Sequence, residues 1–178
     1  MFGKSSISLA IASVCLISGT VSAADYNETQ VNFKGEIVSA ACGLAPESID
    51  QTIQLGQHPT HMFTATGDRS TPVSFGIKLV DCDASSSEGG IGRTASFTFH
   101  SNSHPGYGEL FNVEGGASGV GVRILSNGLP INNGDVANDL PLVDGTNIMH
   151  FSAAYEATSD VVTAGTAESW ALMRVTYQ

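Results

Sequence analysis

The chain has 178 residues, with 17 acidic against 7 basic side chains and a formal net charge of −10. It offers no basic patch to follow a phosphate backbone, which makes nucleic acid a poor partner. Charged residues are only 13% of the chain, and Gly, Ser, Thr, Asn and Ala dominate, as in extracellular β proteins with many turns.

The first residues read as an export signal. Lys4 gives a positive start, residues 7–17 form an apolar run too short to span a membrane, and Val21-Ser22-Ala23 fits a small-residue cleavage site. Cleavage after Ala24, with Ser22 at the −3 position, fits nearly as well. A signal peptide over residues 1–23 leaves about 155 residues, one domain by length. With Lys4 removed, six basic residues remain against the 17 acids, a net −11. No later segment approaches the ~20 apolar residues of a membrane span, so a soluble exported protein is expected. Cys15 leaves with the signal. In an oxidising compartment the remaining pair, Cys42 and Cys82, reads as one disulfide rather than a metal site. A bridge over such a separation is worth roughly 4 kcal/mol on the chain-entropy model.

Residues 29–37 alternate strictly. Thr29, Val31, Phe33, Gly35 and Ile37 fall on one side of an extended chain, and Gln30, Asn32, Lys34 and Glu36 on the other. Chain ends are loosely ordered unless tied down, so this strand needs an acceptor, either in this molecule or in another. Strand patterning continues through 36–42 and recurs at 49–55, 73–80, 94–100, 119–125, 148–155 and 169–177. Turn clusters separate these runs: Gly67-Asp68, residues 85–90, residues 103–108, Asn127-Gly128, residues 132–135 and Asp144-Gly145. The spacing predicts an all-β sandwich or barrel, with a hairpin at Asn127-Gly128. Helix is limited to one short turn at 61–65, and neither a repeat nor a linker divides the chain. In the last strand Ala171, Met173, Val175 and Tyr177 share a face, and the only charge, Arg174, lies on the opposite one. An edge of this kind, with the chain stopping at Gln178, exposes unpaired backbone groups.

Catalytic and metal-binding patterns are weak. His58 and His61 are spaced for a metal, but no carboxylate or cysteine cluster adjoins them and Pro59 indicates a loop. Asp144, His150 and Ser152 make no nucleophile elbow. Asp81 and Asp83, flanking Cys82, read as surface or turn residues, and the Asn27-Glu28-Thr29 sequon carries little weight. No catalytic residue, metal or cofactor is expected.

Several segments together point to a family. These are residues 31–38 (Val-Asn-Phe-Lys-Gly-Glu-Ile-Val) with Ala40-Ala41-Cys42, residues 50–57 (Asp-Gln-Thr-Ile-Gln-Leu-Gly-Gln), and residues 75–79 with Asp81-Cys82-Asp83. Residues 121–125, residues 144–147 and the ending Val175-Thr176-Tyr177-Gln178 complete the set. In this order the chain resembles, along its whole length, the pilin subunits of chaperone–usher fimbriae, of the type 1 major structural kind. The resemblance implies an incomplete immunoglobulin-like sandwich that lacks its last strand. A periplasmic chaperone lends a strand to the resulting groove, and at an outer-membrane usher the arm of the next pilin subunit replaces it. Carried over, the donor arm is residues 24–37 with Thr29, Val31, Phe33, Gly35 and Ile37 facing in, and Gly35 takes a tight pocket. The pilin domain is residues 36–178. The chaperone-recognition strand is residues 171–178, with Tyr177 the penultimate aromatic and the Gln178 carboxylate the anchor. The family disulfide maps onto Cys42 and Cys82. From the residues alone, plainer readings stay open: the arm as a first strand of its own sheet, Gly35 as a β-bulge glycine, and Tyr177 as an ordinary edge aromatic. The expected function is a non-catalytic structural subunit of an adhesive surface fimbria. The alternatives are a minor tip adaptor or carbohydrate-binding fimbrial subunit, or a stand-alone secreted enzyme or binding domain.

Overall fold

The computed structural model describes residues 28–38, 40–85, 93–137 and 139–178. The expected signal peptide, residues 24–27 of the expected arm and most of the turn cluster at 85–90 lie outside the described residues. The chain falls into two units, Met1–Glu36 and Ile37–Gln178. In the first, residues 28–36 belong to no strand and all are exposed, Val31 by 65% and Phe33 by 91%. Gln30 Nε2 donates to Asn32 Oδ1 at 2.8 Å, a contact between two positions on one side of an extended backbone.

Among the described residues of the second unit, ten strands form two antiparallel sheets. They are β1 (Gly43–Leu44), β2 (Val73–Cys82), β3 (Thr94–His100), β4 (Ser103–His104), β5 (Tyr107–Phe111), β6 (Val120–Ser126), β7 (Leu129–Ile131), β8 (Leu140–Pro141), β9 (Gly145–Ala157) and β10 (Leu172–Tyr177). The larger sheet runs β1-β2-β9-β6-β5-β4, with β7 also on β6; the smaller runs β10-β3-β8. Alternation drives the packing. Ile77 and Leu79 of β2, Met149 and Phe151 of β9, and Phe97 and Phe99 of β3 all point inward and are buried. Phe151 binds the two sheets together, its ring 5.3 Å from Phe97 and 5.2 Å from Phe99. Each such burial is worth about 1.5–3 kcal/mol. Strand β6 is buried on both faces, because Leu110 covers its outer side at Gly121. Cys42 and Cys82 are bridged across 40 residues, tying the start of β1 to the end of β2.

The expected strand at 94–100 coincides with β3, and the expected turn at Asn127-Gly128 joins β6 to β7. Its two residues have φ of +50° and +78°, the pair of left-handed conformations that a type I′ hairpin requires. Three expectations are corrected. The described residues of 36–42 form no strand, and pairing begins at Gly43. Residues 49–55 keep their alternation, with Gln51, Ile53 and Leu55 half-buried and Thr52 and Gln54 exposed, but have no ladder partner among the described residues. Residues 103–108, expected as a turn only, form the β4–β5 hairpin around Pro105 and Gly106, where Gly106 supplies φ +85°.

Candidate functional site: an open apolar groove

The unpaired segment 49–57 and strand β10 face each other across a gap in the sandwich. The groove between them has a volume of about 1260 Å³. Its floor is the hydrophobic core itself: Phe75, Ile77, Phe99, Val122, Ile124 and Ala153. One wall is residues 49–57, and the other is residues 162–173, which run into β10. The floor residues Ile77, Phe99, Val122, Ile124 and Ala153 are themselves buried and Phe75 is half-buried, so what the unit leaves open is the cleft above them, between two walls that no strand among the described residues bridges.

Strand β10 has one used and one free edge. Gln178 and Thr94 exchange both backbone hydrogen bonds, at 3.1 and 3.0 Å. Backbone groups alternate sides along a strand, so the even residues Leu172, Arg174 and Thr176 bond β3. The N–H and C=O of Met173, Val175 and Tyr177 point instead toward the groove. The same alternation reaches back past the strand. Thr166 O accepts from Ala117 N, and Glu168 exchanges hydrogen bonds with Glu114 at 2.7 and 2.9 Å, while Ala167 O turns inward to accept from Tyr155 Oη at 2.6 Å.

The far end of the groove is closed by close backbone approach between residues 115–119 and 161–166. A Cβ on Gly165 would lie 2.2 Å from Gly116 C, and one on Gly115 2.3 Å from Thr166 O. The Tyr155 ring meets His58 edge-on at 6.0 Å, and His58 Nε2 lies 2.9 Å from Leu55 O, so the same end also fixes the 49–57 wall. Burial pushes the Tyr155 hydroxyl above its ordinary pKa, and the Glu168 carboxylate adds to this.

The expected recognition residues sit at this site. Ala171 and Met173 line the groove; Met173, Val175 and Tyr177 turn inward against the core, and the Tyr177 hydroxyl lies 3.4 Å from Cys42 O, with burial raising its pKa. The expected arm residues Thr29, Val31, Phe33, Gly35 and Ile37 are all exposed, Ile37 fully. Among the described residues no three His, Cys, Asp or Glu side chains converge on a metal-sized space. The glycine-built end wall and the Tyr155–His58 contact escaped sequence reasoning. Their signal was present in Gly115-Gly116 and Gly165, but these lie about fifty positions apart and only folding brings them together.

A family model described as "Fimbrial protein" matches residues 31–178. "Fimbrial subunit type 1" of Salmonella typhimurium is 33% identical, with 94% of this chain and 95% of the relative covered. "Type-1 fimbrial protein, A chain" of Escherichia coli is 35% identical over 97% of each. Among solved structures, the P pilus rod subunit PapA superposes with a TM-score of 0.68 at 27% identity, covering 78% of this chain and all of that one. A chaperone–usher pilus structure bearing on rod uncoiling gives 0.73 at 28%, covering 85% and 96%. The two sheets with their open groove are the incomplete immunoglobulin-like sandwich of those pilin subunits.

Proposed function

The chain belongs to the fimbrial protein family; from that premise we propose that it is a structural rod subunit of a surface fimbria, joined head to tail by donor-strand exchange. The observation that carries this is the groove: an apolar floor, a free β10 edge on one side and the unladdered segment 49–57 on the other. The arm suits it in length. Residues 29–37 extended span about 27 Å at ~3.3 Å per residue, and the wall of residues 49–57 has the same number of residues. Five inward positions, Thr29, Val31, Phe33, Gly35 and Ile37, would cover the floor of the next subunit while the backbone completes a ladder along β10. Burying Val31, Phe33 and Ile37 contributes ~5–9 kcal/mol before entropy costs, comparable with the net stability of a whole domain.

The same groove would be filled first by a strand of a periplasmic chaperone that recognises residues 171–178, with Tyr177 and the Gln178 carboxylate as anchors, and the exchange would occur at an outer-membrane usher. The similarity to type 1 fimbrial subunits and to a chaperone–usher pilus supports that route. The similarity to a P pilus rod subunit supports the rod over a tip adaptor. The role is non-catalytic. Gly35→Asn tests the joint: we expect normal export and chaperone co-purification but no sheared fibre, because an added side chain at the tight position blocks insertion. Normal fibres from this variant would overturn the reading.

A further inference from the structure

Apolar alternation does not fully specify where the arm sits. A one-residue slip turns every side chain over, but a two-residue slip keeps Thr29, Val31, Phe33, Gly35 and Ile37 inward. A tight position for Gly35 disfavours such slips, and the outward side chains can discriminate among them further. On the arm these are Glu28, Gln30, Asn32, Lys34 and Glu36, and along the groove wall they are Glu168, Trp170, Leu172, Arg174 and Thr176, all exposed.

Two charges on that wall, Glu168 and Arg174, make no ion pair among the described residues. Arg69 and Arg123 share Glu156, Lys78 holds Glu47, and Arg93 lies in the field of Asp83. Glu168 stands directly across from Glu114, a like-charge pair that weakens a ladder. The arm carries the complement. Glu28 and Lys34 are spaced in sequence as Glu168 and Arg174 are, and both pairs run from acid to base. In antiparallel alignment one register sets Glu28 against Arg174 and Lys34 against Glu168 at once; parallel alignment would match like with like.

Resting on the donor-strand reading, we propose that two intersubunit ion pairs, Glu28–Arg174 and Lys34–Glu168, form when the arm of a second copy of this chain seats antiparallel in the groove, and reinforce the register that the Gly35 position favours. The inward positions agree. Thr29, Val31, Phe33, Gly35 and Ile37 then lie opposite Met173, Ala171, Ser169, Ala167 and Gly165, all of which line the groove. A two-residue slip one way brings Glu36 against Glu168 and leaves Arg174 facing Gln30. The other way sets Asn32 against Glu168 and also breaks both pairs.

Cysteine pairs in assembled fibres read the register directly. Because the odd residues of β10 bond the arm, Glu28 and Arg174 form a non-hydrogen-bonded pair with Cα atoms about 4.5 Å apart, within disulfide reach. Fibres of the Glu28→Cys/Arg174→Cys variant should run as a covalent ladder on non-reducing gels, and those of Gln30→Cys/Arg174→Cys should not. In parallel, Arg174→Glu and Glu28→Arg should each speed fibre dissociation in denaturant roughly two- to fivefold, and the double variant should recover most of the loss. A ladder from the Gln30 pair, no ladder in fibres that otherwise form normally, or Arg174→Glu fibres that dissociate no faster overturns the register. Fibres that survive Gly35→Asn overturn the donor-strand reading instead, so the two failures are distinct.

Discussion

Glu156 is the most electrostatically committed side chain of the domain. It is buried on β9 and accepts from Arg123 Nη2 and Nε at 2.8 and 2.9 Å and from Arg69 Nε at 2.6 Å. Asn132 Oδ1 takes a further Arg123 proton at 3.1 Å. Burial pushes the Glu156 carboxyl upward, but the hydrogen bonds and charges of the two arginines outweigh it and hold the group below its ordinary 4.5. A carboxyl depressed on folding contributes stability above its unfolded pKa and loses it as pH falls through the folded one. The denaturation midpoint of the folded domain should therefore hold from pH 7 down to the ordinary Glu range and fall below it. Glu156→Gln should cost about 3 kcal/mol at neutral pH, because it leaves a buried arginine underpaired, and should flatten the acid limb; wild-type and variant curves that run parallel would refute this. Gly165 carries a second residue-scale prediction. Its absent Cβ is what lets residues 161–166 lie against residues 115–119. Gly165→Ala must shift backbone on one side, so it should lower the melting midpoint by the equivalent of about 1–3 kcal/mol. Gly108→Ala, where a Cβ meets nothing within 4 Å, serves as control. Equal midpoints for the two variants would show that the end wall yields freely.

At the scale of elements, legibility followed locality. Strands whose partners lie in the same sheet, such as β3 and β6, announce themselves by alternating Phe, Val and Ile, and the β6–β7 turn by Asn127-Gly128. Arg123 and Glu156 were not read as a pair because β6 and β9 come together only through the sheet order. The arm and residues 49–55 show alternation as clear as any strand, yet neither has a ladder among the described residues. A strand pattern reports the face a segment will bury and is silent about which chain supplies the opposite edge. The absence of a ladder is testable by amide exchange. With no ladder partner among the described residues, residues 50–57 should exchange near the rate of an open loop in the unassembled protein, while Ser96 and Thr98 of β3, which pair with Thr176 and Arg174, are protected. In the fibre the same segment and the groove-facing amides of Met173, Val175 and Tyr177 should slow by orders of magnitude. Equal protection in both forms would mean that the groove closes without a donor.

For the whole molecule, the proposed joint makes the domain of one copy and the arm of the next two complementary halves. The groove is unfilled in one unit, and Val31 and Phe33 are exposed in the other. Head-to-tail contacts of the proposed kind need not close on themselves, so each added copy would fill one groove and present another, and the filament would grow without changing the joint. The disulfide restrains the unfolded chain and stiffens the Cys42–Cys82 end, but it does not cover the groove. Supplying the missing strand in cis separates the two contributions. A chain with residues 24–37 repeated after Gln178 through a short flexible linker should stay monomeric and melt far above the unmodified monomer, by tens of degrees if the joint contributes ~5 kcal/mol or more to a domain of this size. The same fusion carrying Phe33→Asp in the repeated copy should lose most of that gain, because a buried carboxylate would replace the largest apolar side chain of the arm. Reduction of the disulfide should lower both fusions by a similar amount. If the plain fusion melts with the unmodified monomer, the groove is not an acceptor for the arm, and the filament must be held together by some other surface.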